Sequence, residues 1–417
     1  MNRPKDSTMP SVWILNHYAA LPSEAGGTRH IELARRLVSR GFDVTLISSA
    51  FRHASRTLAD TQGRAFIVVD HEGVRIVRLR SRTRYAANGG ARILNMIEFA
   101  VRAWWAGRSR FRGAAPRPDV IVGSSPHLLT PLAAQRLARR FRVPFLFEVR
   151  DLWPETFVAL GLFGRGHPVV RLLRRLERRL YRRADRIITL LPEAWRYICE
   201  AGVRREDIVW IPNGAAVPEV TEGMKDTRAA AQLTVMYVGA HGRANAIEEL
   251  LTAAQIVERG DRRVRFVLVG DGPVKATLVQ QTKRLGLQNL EFRDPVPKHH
   301  VPALLREADI LVALLEDSAL YQYGISLNKL FDYMAAGKPV ILAGRVAFDY
   351  VEKAQCGITV PPRDANALAQ AIGELADLPE AARRAMGERG RAYAREHHDW
   401  NTLAERVASA LREAAGI

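Results

Sequence analysis

Short apolar runs alternate with longer amphipathic runs along almost the whole chain. In the first half, β-branched or apolar runs predict strands at residues 12–15, 44–48, 120–123, 145–147, 187–190 and 209–211. Between them, apolar residues recur at helical spacing, as in 28–39, which Gly41 closes, and in 128–140. This alternation predicts a parallel sheet with helices on both faces.

The alternation stops once, at residues 211–228, which are rich in Pro, Gly and polar residues and have no period. It then resumes, with strands predicted at 235–238, 266–269, 290–292, 310–313, 340–342 and 358–360. We therefore predict an α/β protein with two Rossmann-like, doubly wound domains facing a central cleft, and ligands bound outside the carboxyl ends of the strands. The predicted parts are a flexible N-terminus (1–10), a first domain (11–212), a linker (213–233), a second domain (234–399) and a helix returning toward the first domain (400–417).

Composition narrows the class of protein. A hydrophobic content of 47% with 25% charged residues is typical of a soluble globular protein and excludes wholesale disorder. Cys199 and Cys356 are far apart, so neither a disulfide framework nor a zinc site is indicated. No apolar run is long enough to span a membrane, and the polar N-terminus has no apolar signal core. These features predict a cytoplasmic protein.

The net charge is +18, from 62 basic and 44 acidic residues. Such a charge points to an anionic lipid, a nucleic acid or a phosphorylated substrate as a partner. The alternative is that the excess positive charge, nearly all of it Arg in an Ala-rich chain, reflects genome base composition and has no function. The chain has no recognisable nucleic-acid module and no basic stretch interleaved with aromatic residues, so we predict no nucleic-acid partner.

A glycine pair follows the first predicted strand. Gly26 and Gly27 lie directly before a predicted helix, where backbone N–H groups can face an anion and Arg29 would add a full charge. The spacing is neither G-x-G-x-x-G nor a P-loop, which argues against a nicotinamide or flavin cofactor. The alternative is an ordinary flexible loop.

A charged segment, E-V-R-D-L-W-P-E, occupies residues 148–155 after the predicted strand 145–147. It places Arg150, Asp151, Trp153 and Glu155 at the carboxyl end of a strand, where loops commonly carry function. The alternative is a surface ion pair between Arg150 and Asp151, which would contribute under ~1 kcal/mol.

Three glycine-containing turns follow predicted strands of the second half, at 237–245 (Y-V-G-A-H-G-R-A-N), 269–275 (V-G-D-G-P-V-K) and 321–340 (Y-Q-Y-G-I-S-L-N-K-L-F-D-Y-M-A-A-G-K-P-V). In the last, Ser326 is predicted to cap a helix beginning near Leu327, with Lys329 and Asp332 on one face. Free amides after Gly324 and the Lys329 ammonium could hold a diphosphate, and a carboxylate suits ribose hydroxyls. The alternative is a local Lys329–Asp332 pair on a core helix.

The segments R-D-L-W-P-E, I-P-N-G, V-G-D-G-P and Y-G-I-S-L-N-K-L-F-D-Y-M-A-A-G-K-P-V occur in the order typical of family 4 glycosyltransferases. From residue 12 onward the chain resembles GT-B enzymes of that family, and more narrowly the WbuB-like subgroup that builds bacterial O-antigen, capsule or exopolysaccharide. The last segment is the specific one. Family members commonly carry two glutamates here; the equivalent positions are Gly324 and Asp332, which leaves the donor sugar open.

The resemblance implies a retaining transfer, in the EC 2.4 class, from a nucleoside-diphosphate sugar without a metal ion or other cofactor. A UDP-sugar is the expected donor, with a UDP-N-acetyl-fucosamine-like sugar as a candidate, and GDP stays open. The implied acceptor is a polyprenyl-pyrophosphate-linked glycolipid or an oligosaccharide. The alternatives are a UDP-sugar epimerase of the same architecture, and a non-catalytic partner subunit.

The resemblance and the turns together assign roles to individual residues. The residues expected to be catalytic are Asp151, Lys329 and Arg243. Those expected to bind the donor are Gly239, His241, Gly242, Gly270, Gly272, Val296, Gly324, Ile325, Ser326 and Asp332. Those expected on the acceptor side or at the cleft are Gly26, Gly27, Arg29, Arg150, Trp153 and Glu155.

Two segments have the pattern of membrane-surface helices. Residues 169–186 place apolar residues at helical spacing among many arginines, and residues 91–112 combine Trp104 and Trp105 with further arginines. Both could hold the protein peripherally against anionic lipid on the inner face of the cell membrane. The alternative is a solvated helix face.

Overall fold

A computed structural model describes residues 9–24, 26–85, 89–218, 232–260 and 264–417. The described chain divides into two compact units. Unit 1 comprises the residues up to Pro212 together with Trp400–Ile417, and unit 2 comprises Asn213–Asp399. Most of the predicted linker 213–233 and of the predicted flexible N-terminus 1–10 lies outside the described residues.

Unit 1 is built around one mixed sheet in the order β10-β9-β8-β7-β1-β2-β6-β5. All neighbouring strands are parallel except β5, which is antiparallel to β6. A short antiparallel pair, β3 and β4, stands apart from it. The strands are β1 (Ser11–Leu15), β2 (Asp43–Ser49), β3 (Phe51–Arg52), β4 (Thr57–Leu58), β5 (Phe66–His71), β6 (Val74–Leu79), β7 (Val120–Ser124), β8 (Phe145–Val149), β9 (Arg186–Thr189) and β10 (Ile208–Trp210).

The six strands predicted for this half are present, with ends that differ by one or two residues. The hairpin of β5 and β6 was not predicted, because charged residues such as Arg75 and Arg78 interrupt its apolar pattern. Its two-residue turn, Glu72 and Gly73, has positive φ at both positions, 52° and 78°. That turn was the signal available in the sequence, because such hairpins favour Gly at the second position.

Helices cover both faces of the unit 1 sheet. They are α1 (Arg29–Val38), α2 (Gly90–Arg108), α3 (Leu129–Phe141), α4 (Glu155–Ala159), α5 (Pro168–Tyr181), α6 (Ala194–Cys199) and, from the end of the chain, α14 (Trp400–Ala415). Residues of α1 and α14 pack with Val12 and Ile14 of β1 in one core. Trp13, which points to the opposite face, contacts Phe141 of α3. Helix α3 also contacts α2 and α5, so these three helices form one layer.

Unit 2 has a six-stranded, fully parallel sheet in the order β13-β12-β11-β14-β15-β16. Its strands are β11 (Leu233–Val238), β12 (Val264–Val269), β13 (Leu290–Arg293), β14 (Ile310–Leu314), β15 (Val340–Ala343) and β16 (Gly357–Val360). Its helices are α7 (Glu248–Arg259), α8 (Lys275–Leu285), α9 (Val301–Leu305), α10 (Asn328–Ala335), α11 (Tyr350–Ala354), α12 (Ala365–Asp377) and α13 (Glu380–His398).

The strand order of unit 2 is the doubly wound order, in which the chain reverses direction across the sheet beside the first strand. The reversal falls between β11 and β14 in unit 2, and between β1 and β7 in unit 1. The prediction of two parallel-sheet, Rossmann-like domains is therefore confirmed. Ligands of such sheets bind outside the carboxyl ends of the strands at the reversal, which is where the candidate residues lie.

Candidate functional site

Two glycine turns pack against each other at the carboxyl edge of the unit 2 sheet. One follows β11 at Gly239, and the other follows β12 at Gly270 and Gly272. Gly270 has φ +148°, and a Cβ there would lie 2.0 Å from the Gly239 carbonyl oxygen. Gly272 has φ +158°, and a Cβ there would lie 2.3 Å from the His241 carbonyl oxygen. Side chains are therefore excluded, and the backbone of the two turns stays in close contact.

Lys329 of α10 reaches the first of these turns. Its Nζ donates hydrogen bonds to Tyr237 Oη at 2.8 Å and to Asn245 Oδ1 at 2.7 Å, and lies 4.4 Å from the centre of the Tyr237 ring. A Cβ at Gly239 would lie 3.1 Å from this nitrogen. Burial lowers the pKa of Lys329 to about 7. The ammonium therefore stands at the glycine turn with two neutral hydrogen-bond partners.

His241 lies in the same turn with its ring fully buried. Neither ring nitrogen has a hydrogen-bond partner among the described residues. Burial, and then the charge of Lys275, lowers the pKa of His241, so the ring is neutral at pH 7. Unpaired buried polar atoms are uncommon in folded proteins and mark positions where a ligand can bind.

Asp332 does not pair with Lys329. Its partner is Lys298, which follows β13 and donates from Nζ to Asp332 Oδ2. Burial raises the pKa of Asp332, and the charge of Lys298 opposes that shift. The predicted alternative of a Lys329–Asp332 brace is therefore wrong, because each side chain binds a partner distant in sequence. Sequence reasoning missed Lys298, although P-V-P-K directly after a strand end was a usable signal.

The prediction that Ser326 caps α10 is wrong. The helix begins at Asn328, and Leu327 stands at the cap position without a side-chain hydrogen bond. Ser326 Oγ instead accepts from the Asn213 backbone N–H at 2.9 Å, and Asn213 Nδ2 donates to the Ser326 carbonyl at 2.8 Å. Ser326 is two residues before the helix, outside the cap position. Its hydroxyl therefore binds the I-P-N-G segment and does not cap the first turn of α10.

The remaining predicted donor residues lie in the surrounding loops. Gly324 is buried with φ +90°, and the carbonyl of buried Ile325 accepts from Tyr350 Oη at 3.1 Å. Gly242 directly precedes a short 3-10 turn, Arg243–Asn245, in which Arg243 is exposed. No side-chain hydrogen bond among the described residues joins Arg243 to the cluster around Lys329, and half-buried Val296 has only an apolar side chain.

On the unit 1 sheet, the glycine pair lies near Arg150. Gly26 has φ +138°, and a Cβ at Gly27 would lie 4.0 Å from Arg150 Nη2. The Arg150 backbone N–H donates to Ser125 Oγ at 2.8 Å, and its buried Nε has no partner among the described residues. A guanidinium with an unpaired nitrogen therefore lies where the loops after β1, β7 and β8 meet.

The other residues of the R-D-L-W-P-E segment point in different directions. Asp151 is exposed, whereas Trp153 packs against Phe157 with ring centres 4.3 Å apart. Glu155 begins α4 and forms an ion pair with Arg174 of α5. Glu155 is therefore held by a helix of its own unit.

The prediction that Arg29 faces a ligand is not supported by its surroundings. Arg29 is buried, with Nε donating to Glu148 Oε1 at 2.9 Å and its other nitrogens to the Ile211 carbonyl at 2.9 Å and the Pro212 carbonyl. Burial would raise the pKa of Glu148, but His30 and Arg29 outweigh it and hold that pKa well below its usual range. Because all its nitrogens are occupied, Arg29 fixes the end of β10 to the middle of the sheet.

A buried polar cluster that sequence reasoning missed lies after β1 and β7. His17 Nδ1 and His127 Nε2 are 2.8 Å apart, and the Tyr18 ring stacks on His17 at 4.4 Å. Burial lowers the pKa of His127 to about 3, and burial together with His127 lowers that of His17. Both follow neighbouring strand ends at the reversal point, so their position was a signal in the sequence.

Among the described residues, no group of three or more His, Cys, Asp and Glu side chains is placed to hold a metal ion. No described helix combines the length and the apolar character needed to cross a bilayer.

The known domains and proteins with similar sequences are glycosyltransferases. Residues 26–214 match the glycosyl transferase 4-like domain, and residues 232–377 match the glycosyl transferases group 1 domain. A probable glycosyltransferase, WbjE of Pseudomonas aeruginosa, is 26% identical over 74% of this chain and 77% of its own. The putative colanic acid biosynthesis glycosyl transferase WcaI of Escherichia coli K12 is 24% identical over 69% of this chain and 73% of its own.

A solved structure with the same fold is that of HepE from Anabaena, crystallised with UDP and glucose. It is 17% identical, covers 97% of this chain and 100% of its own, and superposes with a TM-score of 0.68. The two matched domains, in this order and on two doubly wound sheets, define the class of protein. The chain belongs to the GT-B glycosyltransferases, with a family 4-like first domain and a group 1 second domain.

Proposed function

We propose that this glycosyltransferase moves a sugar from a nucleoside-diphosphate donor, with retention, to an acceptor used in bacterial surface polysaccharide synthesis. The observation that carries the donor assignment is the Lys329 ammonium, held by neutral partners against two glycine turns at the carboxyl edge of unit 2. The UDP in the HepE crystals supports a uridine donor, and the colanic acid assignment of WcaI supports a polysaccharide product.

In the proposed reaction, the bond between the anomeric carbon and the diphosphate oxygen breaks while the acceptor oxygen binds that carbon on the same face. The leaving phosphate oxygen takes the acceptor's proton, so no strong protein base is required. Negative charge develops on the diphosphate, and Lys329, Arg243 and the amides of residues 239–242 neutralise it without a metal ion. Unpaired His241 lies in the same turn and would gain a partner from the donor.

Asp332 is proposed to accept hydrogen bonds from the donor ribose. Burial raises the pKa of this carboxyl group, and its pair with Lys298 opposes that shift because a nearby cation favours the ionised form. Gly270, Gly272, Gly324, Ile325 and Val296 would contribute backbone or apolar contacts around the nucleotide. Replacing Asp332 with Ala is expected to raise the KM for the donor more than it lowers kcat; an unchanged KM would contradict the ribose role.

The acceptor is proposed to bind unit 1 and to be a polyprenyl-pyrophosphate-linked glycolipid or an oligosaccharide. Exposed Asp151 would orient or polarise its hydroxyl, and Arg150, beside Gly27, would face its phosphate. The dense arginine surface of α5 supports a peripheral position on an anionic membrane, where such a lipid resides. Placement in the WbuB-like subgroup is part of this proposal.

Nucleotide binding is the direct test. Thermal unfolding is measured with UDP, GDP and adenosine diphosphate, since a ligand at a hundred times its Kd stabilises the folded state by about 2.7 kcal/mol. We expect UDP to raise the melting temperature most, and this rise to be lost in Lys329→Ala. No stabilisation by any of the three would overturn the donor assignment.

Turnover separates the proposal from its alternatives. An epimerase would convert the donor sugar without any acceptor, and a non-catalytic subunit would bind the nucleotide without turnover. We expect the isolated chain to release the nucleoside diphosphate only when an acceptor is present.

A further inference from the structure

Helix α2 exposes an apolar stripe. Ile93, Leu94, Ile97, Val101 and Trp105 are 58%, 56%, 44%, 48% and 59% exposed. Residues 93, 97, 101 and 105 are spaced four apart and therefore share one face of the helix. The opposite face is the one that packs on the protein, with Phe99 and Ala103 among its buried residues. A surface helix that is apolar on both faces needs a second apolar environment.

A second exposed apolar cluster lies on the same side of unit 1. It occupies the connection between α4 and α5 and the start of α5, and consists of Leu160, Leu162, Phe163, Val169 and Leu172, which are between 36% and 65% exposed. Since α2 contacts α3 and α3 contacts α5, both clusters belong to one helix layer. The apolar stripe of α2 and this second cluster are therefore exposed on the same surface of unit 1.

The charge around these two apolar clusters is mainly positive. Residues 90–112, 129–142 and 160–183 contain five, four and eight arginines, no lysine and only two acidic residues. Of the two acids, Glu98 is bound by Arg102, and Glu177 is buried and accepts from two tyrosine hydroxyls. The layer therefore has a large excess of positive charge beside its apolar residues.

We propose that this layer docks on an anionic lipid bilayer, with α2 lying in the membrane plane and its stripe inserted at the boundary between headgroups and acyl chains. The occupant follows from the chemistry: an apolar face takes acyl chains, and flanking arginines bind lipid phosphates. Trp105, with the Arg108 guanidinium 4.0 Å from its ring centre, has the combination favoured at membrane interfaces. A protein partner would instead need acidic residues to match these arginines.

The inner face of α2 joins this surface to the acceptor side of unit 1. Phe99 stacks on His17 with ring centres 4.4 Å apart, and the Arg92 guanidinium lies 5.9 Å from the Tyr18 ring centre. Docking through α2 thus brings the His17–His127 cluster, after β1 and β7, close to the bilayer surface. This step rests on the proposed lipid-linked acceptor, whose polar end would reach that cluster while its lipid stays in the membrane.

The test is co-sedimentation with vesicles of phosphatidylcholine alone or mixed with phosphatidylglycerol, at low and high salt. We expect binding to the mixed vesicles, weakened by salt, and a blue shift of tryptophan fluorescence that is lost in Trp105→Phe. Ile97→Ser with Trp105→Ser should weaken binding about tenfold or more. Val68→Ser with Val69→Ser is the matched control, because both valines are exposed on β5, outside the helix layer, and should bind as the unchanged protein does.

The proposal is overturned if the unchanged protein ignores anionic vesicles at low salt, or if the α2 variant binds as tightly as the control. It is also overturned if the variant instead converts a dimer to a monomer, since the stripe would then be a protein interface. Stabilisation by UDP is measured on the same samples. Vesicle binding without nucleotide binding would refute the proposed donor and leave docking intact, and the reverse result would refute docking alone.

Discussion

Among the described residues, no opposite charge lies at hydrogen-bond distance from the Lys329 ammonium. Its two partners, Tyr237 and Asn245, are neutral, and the face of the Tyr237 ring adds a weak attraction. A half-buried ammonium is costly unless an anion pairs with it. The lowered pKa of Lys329 reflects this cost, and a diphosphate would remove it.

Lys329→Ala should lower kcat by roughly 10²-fold or more, because it removes one fixed charge that stabilises the leaving group. The value of kcat is measured from the steady-state release of nucleoside diphosphate in the presence of acceptor. Lys283→Ala, at an exposed lysine of α8, is the control and should leave kcat unchanged. Near-normal turnover in Lys329→Ala would refute the assignment.

The pKa of Lys329, about 7, also predicts a pH dependence of donor binding. Below pH 7 the ammonium is present before binding; above it, the donor must bind together with a proton. The affinity for a nucleotide sugar should therefore fall by up to about tenfold for each unit of pH above 7. Calorimetric titration of the donor between pH 6 and 9 measures this slope, and the fall in affinity is expected to begin at about pH 7. An equal slope in Lys329→Met would contradict the prediction.

Sequence reasoning identified Lys329 and Asp332, but it could not identify their partners. Helical spacing favours a contact between residues three apart, whereas Tyr237 and Asn245 reach Lys329 from another element. For the same reason Ser326 was wrongly predicted to cap α10, and the buried partners of Arg29 were missed. A serine before a helix is an ordinary capping signal and an arginine after two glycines is an ordinary anion-binding signal, and only the fold reveals the competing partners Asn213 and Glu148.

At the scale of elements, the two glycine turns after β11 and β12 act as one unit. The His241 backbone N–H donates to the Asp271 carbonyl at 2.8 Å, which ties the turns together. Their contact needs both the unusual φ of Gly272 and its missing side chain. The amides that face the proposed diphosphate are therefore positioned by the neighbouring turn.

Gly272→Ala should destabilise unit 2 and weaken nucleotide binding, because its Cβ would overlap the His241 backbone. Gly286→Ala is the matched control: that glycine also has positive φ, +71°, but no atom lies within 4 Å of its ideal Cβ. The free energy of unfolding of the control should fall by only about 1–2 kcal/mol, the cost of a side chain in the left-handed conformation. Denaturant unfolding and UDP affinity measure both variants, and equal losses would contradict the steric argument.

At the scale of the whole molecule, the end of the chain belongs to the core of unit 1. Helix α14 packs against α1, and its residues Trp400, Leu403, Val407 and Leu411 are buried in the core that includes Ile14. Unit 1 is therefore formed from both ends of the described chain. Its stability depends on residues that follow unit 2 in sequence.

Leu403→Ala should destabilise unit 1 by about 2–5 kcal/mol, the usual cost of such a cavity. Ser409→Ala, on the exposed face of the same helix, is the control and should change stability little. Protease sensitivity of fragments from each unit separates the effects, and UDP should protect only unit 2. Greater loss of protection in unit 2 than in unit 1 would contradict the assignment of α14.

The order of apolar and amphipathic runs determined the parallel strands of the two sheets, because strand and helix periods are local properties that each segment carries by itself. The glycines and the basic residue after the strands also marked the candidate site, since strand ends meet at one edge of a parallel sheet. Tertiary structure alone decided which side chains meet: Lys298 with Asp332, Arg29 with Glu148 and His17 with His127. Such pairs join residues far apart in the chain, and no local period or spacing encodes them.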